Sequence, residues 1–443
     1  MNRLIATTFC ILLILYLFKR DLKKIDGPSN ALWIPFIWMF LAGSRYVSSW
    51  LNLSSPRTLI EASYDGSPVD AAVFFLLITA GVFILSRRKI NWGQLLTQNK
   101  WIWLYFLYCG ISICWSDYPF ISLKRWIKEL GNPIMVLVIL TDNHPYDAIG
   151  SILRRLAFLT LPLSILFIWY YPDLARSYHN DGSPMYTGVG HQKNDLGMLC
   201  LIAGIYFSWN FFFNRKENFK LGDNAINFMF IGLLAWLLRM ADSATSLACL
   251  VVAVTLFFLG HVKLVASKPG RIMTLGIIAV FLFSVLEATV GVKDVILGIL
   301  GRNPTLTNRV PIWDALLTIH TNPLVGTGFM SFWAGDRLNV IFAEMGTTGV
   351  QAHNGYLEQY LNLGYIGVAF IGIIILTGLF KVRKHLALDY PSAMLRLCFI
   401  VTAILFNYTE ASFYGINNMW LLLLLGVIAI PDQQGHEEPI RTV

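Results

Sequence analysis

The sequence predicts an all-α, polytopic membrane protein, and three observations predict it. Hydrophobic residues make up 56% of the chain, charged residues only 14%, and mean hydropathy is +0.59. Soluble domains carry roughly 25% charged residues. The apolar residues gather in continuous runs suited to crossing ~30 Å of hydrocarbon. They do not alternate with polar ones, which argues against a β-barrel.

The apolar runs lie near 4–18, 31–48, 70–86, 101–116, 126–141, 156–171, 195–213, 225–240, 245–260, 272–289, 361–380, 395–410 and 417–430. Several must extend past these limits to cross, giving about twelve or thirteen spans. The first run ends in Lys19-Arg20 without a small-residue cleavage site, so it reads as a retained span and not a signal peptide. The chain then divides into an N-terminal helical bundle of about ten spans (1–289), a polar loop (290–360), C-terminal helices (361–430) and a short polar tail (431–443). No internal repeat of the kind found in many secondary transporters is visible.

Basic residues set the orientation. One set of alternate loops, with Lys19, Arg20, Arg87, Arg88, Arg154, Arg155, Lys381 and Arg383 among its members, holds most of the 34 lysines and arginines. The positive-inside rule makes that set cytoplasmic. The two stretches richest in polar motifs, 172–194 and 290–360, then face away from the cytoplasm. The net charge of +8 follows largely from this asymmetry and is no signal for a nucleic-acid partner. The six cysteines lie in or at the ends of apolar runs and form no disulfide framework or metal-ligand spacing.

The loop holds the candidate chemistry. Asn308 is placed to cap a helix with Arg309 in its first turn and Pro311 where proline is tolerated. Ile312, Trp313, Leu316, Leu317 and His320 follow at helical spacing, and Asn322-Pro323 ends the run. The expectation is an amphipathic helix of about four turns on the outer membrane face. A guanidinium at a helix N-terminus suits phosphate oxygens, with a lipid headgroup as the competing partner. Gly326 and Gly328 permit a tight turn, and Phe329, Phe332 and Trp333 are expected to lie flat in the interface.

His353 precedes Asn354, a natural cap for the helix that becomes the span at 361–380. That places the imidazole at the outer end of a membrane helix. The helix N-terminus and a nearby arginine favour the neutral ring, the form able to accept a proton. A second stretch, Gly188-Val-Gly-His-Gln-Lys-Asn-Asp-Leu-Gly197, puts Lys193 at the same face, with Asn194 expected to cap the span it enters. Arg125 and Arg239 add outward cations, and Trp313 completes the candidate binding set. Basic residues are usually scarce on that side, so their gathering there points to an anionic ligand. The Walker pattern is absent, as are D-x-D and H-E-x-x-H spacings in the outward loops. No metal or other cofactor is indicated, and if a diphosphate is bound, arginine and lysine must neutralise it.

At these residues the chain resembles the O-antigen ligase and polymerase superfamily, and within it the ExoQ-type exopolysaccharide polymerases. The resemblance rests on G-x-G-H-Q-K-N-D-L-G (188–197), N-R-V-P-I-W-D-A (308–315) with N-P-L-V-G-T-G-F (322–329), and A-H-N-G-Y-L-E (352–358) with L-G-Y-I-G (363–367). It implies a GT-C-like helical glycosyltransferase of the bacterial inner membrane. Such an enzyme acts without metal, on the periplasmic side, on glycans carried by undecaprenyl diphosphate. His353 matches the family's histidine, the general base toward the acceptor glycan. Arg309 matches the arginine that holds the donor diphosphate, and Lys193 and Asn194 match a polar entry that helps with it. Many ligases carry a Ser-Arg pair where this chain reads Asp242-Ser243-Ala244-Thr245-Ser246, which leaves Arg239, Lys193 or Arg125 as the second cation. The resemblance also implies the bilayer, a chain-length regulator and a flippase as partners. Two other readings stand beside polymerisation: a ligase moving finished glycan to lipid A core or protein, and a polysaccharide or lipid transporter.

Overall fold

Every apolar run picked out in the sequence contains helix, and Asn354 begins its helix as expected. The computed structural model describes residues 2–22, 29–53, 66–178, 182–213, 221–291, 295, 298, 309–335, 337–338, 341 and 351–429. The helices are α1 (Arg3–Leu22), α2 (Trp33–Gly43), α3 (Pro68–Arg87), α4 (Lys100–Ile111), α5 (Pro119–Glu129), α6 (Gly131–Leu140) and α7 (Pro145–Tyr170). A small antiparallel pair, β1 (Arg176–Tyr178) and β2 (Pro184–Tyr186), sets Ser177 opposite Met185. There follow α8 (Lys193–Phe213), α9 (Leu221–Ala241), α10 (Ala244–His261), α11 (Arg271–Val290), α12 (Arg309–Thr318), α13 (Gly355–His385), α14 (Tyr390–Thr409) and α15 (Asn418–Val427). Ser67, Ser243, Asp389 and Asn417 each cap the helix they precede, accepting a bond from a first-turn N–H.

Among the described residues, seven helices are long and apolar enough to cross a membrane: α3, α7, α8, α10, α11, α13 and α14. At 1.5 Å per residue, α2 and α15 reach only about 15 Å. Helix length alone therefore supports fewer full crossings than the twelve or thirteen expected. The centre of the bundle is α15, whose residues from Asn418 to Val427 are all buried, packed by α6, α13 and α14. Near it Glu129 accepts through Oε1 from the Trp420 indole at 2.6 Å and from the Asn132 amide at 3.1 Å, while its buried Oε2 has no partner among the described residues. The expected Asn308 cap and the 431–443 tail lie outside the described residues.

The long helix α13 is broken at Gly364, which has φ 65° and ψ −166°. A break frees backbone groups that must find partners inside the bundle. The segment after Pro323 supplies them. Thr327 N–H donates to the Leu361 carbonyl at 3.2 Å, and Gly328 N–H to that of Asn362 at 2.9 Å. Tyr365 and Ile366 N–H groups donate in turn to the carbonyls of Pro323 at 2.8 Å and Leu324 at 3.2 Å. The two glycine-bearing motifs N-P-L-V-G-T-G-F and L-G-Y-I-G are thus two halves of one junction. Gly326 and Gly364 have positive φ, and a Cβ at either would collide with backbone of the other strand of the junction.

This junction changes two expectations. Phe329 and Phe332 do not lie flat at an interface: they are 1% and 0% exposed, and Trp333 is 8% exposed, because the junction pulls the segment inward. The Trp333 indole donates to both oxygens of buried Glu358, at 3.0 and 2.8 Å. Helix α12 stops at Thr318, about one turn short of the expected length, with Leu316 buried and Leu317 exposed. Ile312, Leu316 and Ile319 join Phe332, Trp333, Leu338 and Ile341 in a small apolar cluster of their own.

Gly364→Ala is expected to cost about 3 kcal/mol or more, from left-handed strain and a clash with the Leu324 carbonyl. Thermal unfolding of the purified chain in detergent measures it. A variant as heat-resistant as the wild type would show that the junction does not hold the helix break.

Candidate functional site

Five helix ends meet on one side of the bundle: the starts of α8, α10, α12 and α13, and the end of α14. Their meeting point is Glu410, the first residue past α14, in extended conformation with φ −136° and ψ 158°. Its Oε1 accepts from Arg309 Nη2 and from Asn194 Nδ2, both at 2.8 Å. Its Oε2 lies 3.5 Å from His353 Nδ1. Side-chain exposures of 9% for Glu410, 16% for Arg309 and 26% for His353 make this a half-enclosed cluster, open enough to meet a ligand.

Local sequence explains how each member arrives there. Asn354 caps α13 by accepting from the N–H groups of Tyr356 and Leu357 at 3.0 and 3.1 Å. Gly355 follows because a Cβ there would strike the Asn407 side chain of α14. That close approach sets His353 beside Glu410, with His353 itself at φ 50°, a left-handed conformation costly for a side chain of this size. The Thr409 and Thr245 hydroxyls, 2.6 Å apart, tie the end of α14 to the start of α10.

The remaining candidates are placed as follows. Trp313 donates its indole N–H to the Ala352 carbonyl at 2.8 Å and meets Tyr408 edge-on, with ring centroids 6.1 Å apart. It therefore pins α12 to the residue before His353. Lys193 lies 3.4 Å from Asp242 at the rim. Arg239 is exposed at the end of α9, and no bond from its side chain to Glu410 is made among the described residues. Arg125 donates to the Met330 carbonyl. Asn194 does not cap its helix. Helix α8 already begins at Lys193, Asp195 accepts from the His191 and Gln192 N–H groups at 3.0 Å each, and the Asn194 amide turns to Glu410.

Sequence reasoning missed Glu410 and Glu358. A lone acidic residue at a span end looks like any rim carboxylate, and Glu410 is separated in sequence by 101 residues from Arg309 and by 216 from Asn194. Glu358 stood in view within A-H-N-G-Y-L-E. It accepts from Ala352 N–H at 2.6 Å and from the Tyr414 hydroxyl, locking the segment that carries His353. Burial, with the Glu358 carboxylate added, pushes the Tyr414 hydroxyl well above the usual tyrosine range, so it stays a donor. His191 packs edge-on against Tyr46, and burial together with Arg45 pulls its pKa down. A cleft of about 260 Å³ between Trp115, Asp117, His320 and Arg337 contains none of the candidate residues.

Over 352 residues the chain is 26% identical to the exopolysaccharide production protein ExoQ of Rhizobium meliloti (strain 1021), covering 75% of this chain and 78% of that protein. The resemblance to ExoQ-type proteins runs through most of the chain. No protein-family model matches it. The helical, multi-pass architecture agrees with the fold that this resemblance implies.

The Arg309–Glu410 pair is mostly buried, so removing one partner leaves the other uncompensated. Arg309→Ala and Glu410→Ala should each lower thermal stability, and the double variant should lose less than the sum, with a coupling of about 1–3 kcal/mol. Melting of the four proteins in one detergent measures this. Strictly additive losses would mean the pair contributes nothing.

Proposed function

We propose that the chain is a membrane glycosyltransferase that extends exopolysaccharide from lipid-linked repeats. The observation that carries this is the convergence of Arg309, Asn194 and His353, from three separate motifs, on one carboxylate at a common end of the bundle. The similarity to a protein of exopolysaccharide production supports the substrate class. The distribution of lysine and arginine supports a cluster facing the periplasm, with the chain in the inner membrane.

In this reading the donor is a glycan on undecaprenyl diphosphate and the acceptor is a sugar hydroxyl. The hydroxyl oxygen attacks the anomeric carbon, the bond from that carbon to the phosphate oxygen breaks, and the configuration inverts. His353 takes the hydroxyl proton. Arg309 and Asn194 meet the departing diphosphate as charge grows on it, where fixed donors are most effective. Lys193 and Arg239 stand at the rim as further cations. Polymerisation is favoured over ligation because the relative is named for exopolysaccharide production.

His353→Ala and Arg309→Ala should each reduce glycan polymerisation by at least ~100-fold while the chain still inserts. The lipid-linked glycan profile of a deletion strain, complemented with each variant, measures this. Single repeats should accumulate. Polymer of normal length and yield from either variant would remove these roles, and accumulation of full-length lipid-linked polymer in the deletion strain would favour a ligase.

A further inference from the structure

We infer that Glu410 is a built-in counter-anion, which holds the diphosphate's place against Arg309 and Asn194 and, once displaced by the donor, turns to orient His353. The inference rests on the glycosyltransferase reading for the identity of the donor. Its structural basis is independent of that reading.

Three observations carry it. First, Oε1 of Glu410 already takes the hydrogen bonds that a phosphate oxygen would seek, from a guanidinium and an amide at 2.8 Å each. Second, His353 Nδ1 is buried and has no hydrogen-bond partner among the described residues. At 3.5 Å from Oε2, it sits a few tenths of an ångström beyond a proper bond, whose usual range is about 2.7–3.2 Å. Third, Glu410 follows the C-terminal end of α14, where the helix dipole disfavours negative charge. Asp195 adds a like charge within electrostatic reach. Arg309 and Asn194 offset both effects, so the carboxylate's resting place depends on donors that a ligand can claim.

A diphosphate carries more charge and more acceptor oxygens than one carboxylate, and it matches the guanidinium fork. It therefore wins Arg309 and Asn194, and repulsion moves Glu410 away from them. It then accepts from the Nδ1–H of His353, which lies 3.5 Å from its Oε2 and has no partner among the described residues. That bond fixes the tautomer that leaves Nε2 free to accept the acceptor's proton, and it stabilises the imidazolium formed when the proton arrives. Donor binding is thus coupled to arming of the base, and Glu410 acts as a positioning residue.

The test uses the full chain purified in detergent as wild type, E410Q, R309A and E410Q/R309A. Calorimetry with inorganic pyrophosphate requires no glycan. E410Q should bind it ~10-fold more tightly than the wild type, a coupling of ordinary size, and adding R309A should abolish the gain. With lipid-linked donor, E410Q should show a kcat lower by ~10–100-fold and a donor KM that does not rise. A purely structural role would not split kcat from KM in this direction. If E410Q does not fold, E410D serves, since retracting the carboxylate by one methylene should also tighten pyrophosphate binding. Pyrophosphate binding no tighter than wild type in the folded variant overturns the inference, whatever the activity. Tighter binding in E410Q beside a wild type that transfers no glycan would uphold the counter-anion and overturn the glycosyltransferase reading instead.

Discussion

A carboxylate at the C-terminal end of a membrane helix faces partial charges of its own sign, and the candidate site is arranged around relieving that conflict. Glu410 is kept there by a guanidinium from the loop and an amide from α8, elements that otherwise have little reason to meet. Because the pair is largely shielded from water, the attraction is stronger than a surface ion pair of the same length. It draws α12 down onto the bundle and orders the side on which His353 stands.

The second constraint is backbone accounting. A helix broken at Gly364 inside an apolar bundle leaves carbonyl and N–H groups that water cannot reach, and the 323–328 segment closes all four of the bonds described. This exchange anchors the C-terminal half of the loop to a membrane helix. Trp333 and Glu358 extend the anchorage to Ala352, next to His353. The loop is therefore attached where it passes the site, and it presents fixed groups there.

Much of the fold was legible in sequence because its signals are local. Continuous apolar runs, Asn354 as a cap and the glycines at 326 and 328 act within a few residues of themselves, and each corresponds to a helix, a cap or a left-handed turn, whereas the break at Gly364 within the expected 361–380 span was not seen. The relation between distant segments was not legible. Phe329 and Trp333 have the composition of an interfacial belt, and only the junction with α13 shows why they are buried. Asn194 looked like a cap because asparagine commonly caps, whereas its amide is committed to a carboxylate from another helix. The positions of His353 and Arg309 at one end followed from alternation of the spans. The carboxylate between them did not, because one glutamate at a span end carries no local mark of its partners.

Gly355 has a consequence for how such a site can change. Its contact with the Asn407 side chain packs the start of α13 against α14, so the separation of the imidazole and the carboxylate is set by two helices and is nearly indifferent to the loop. Arg309 is different. Among the described residues, it rides on ten residues of helix held by its own pair with Glu410, one indole bond and a small apolar patch. Substitutions in α12 can therefore retune the proposed anion recognition while leaving the proposed base in register, which makes the short helix the adjustable member of the pair.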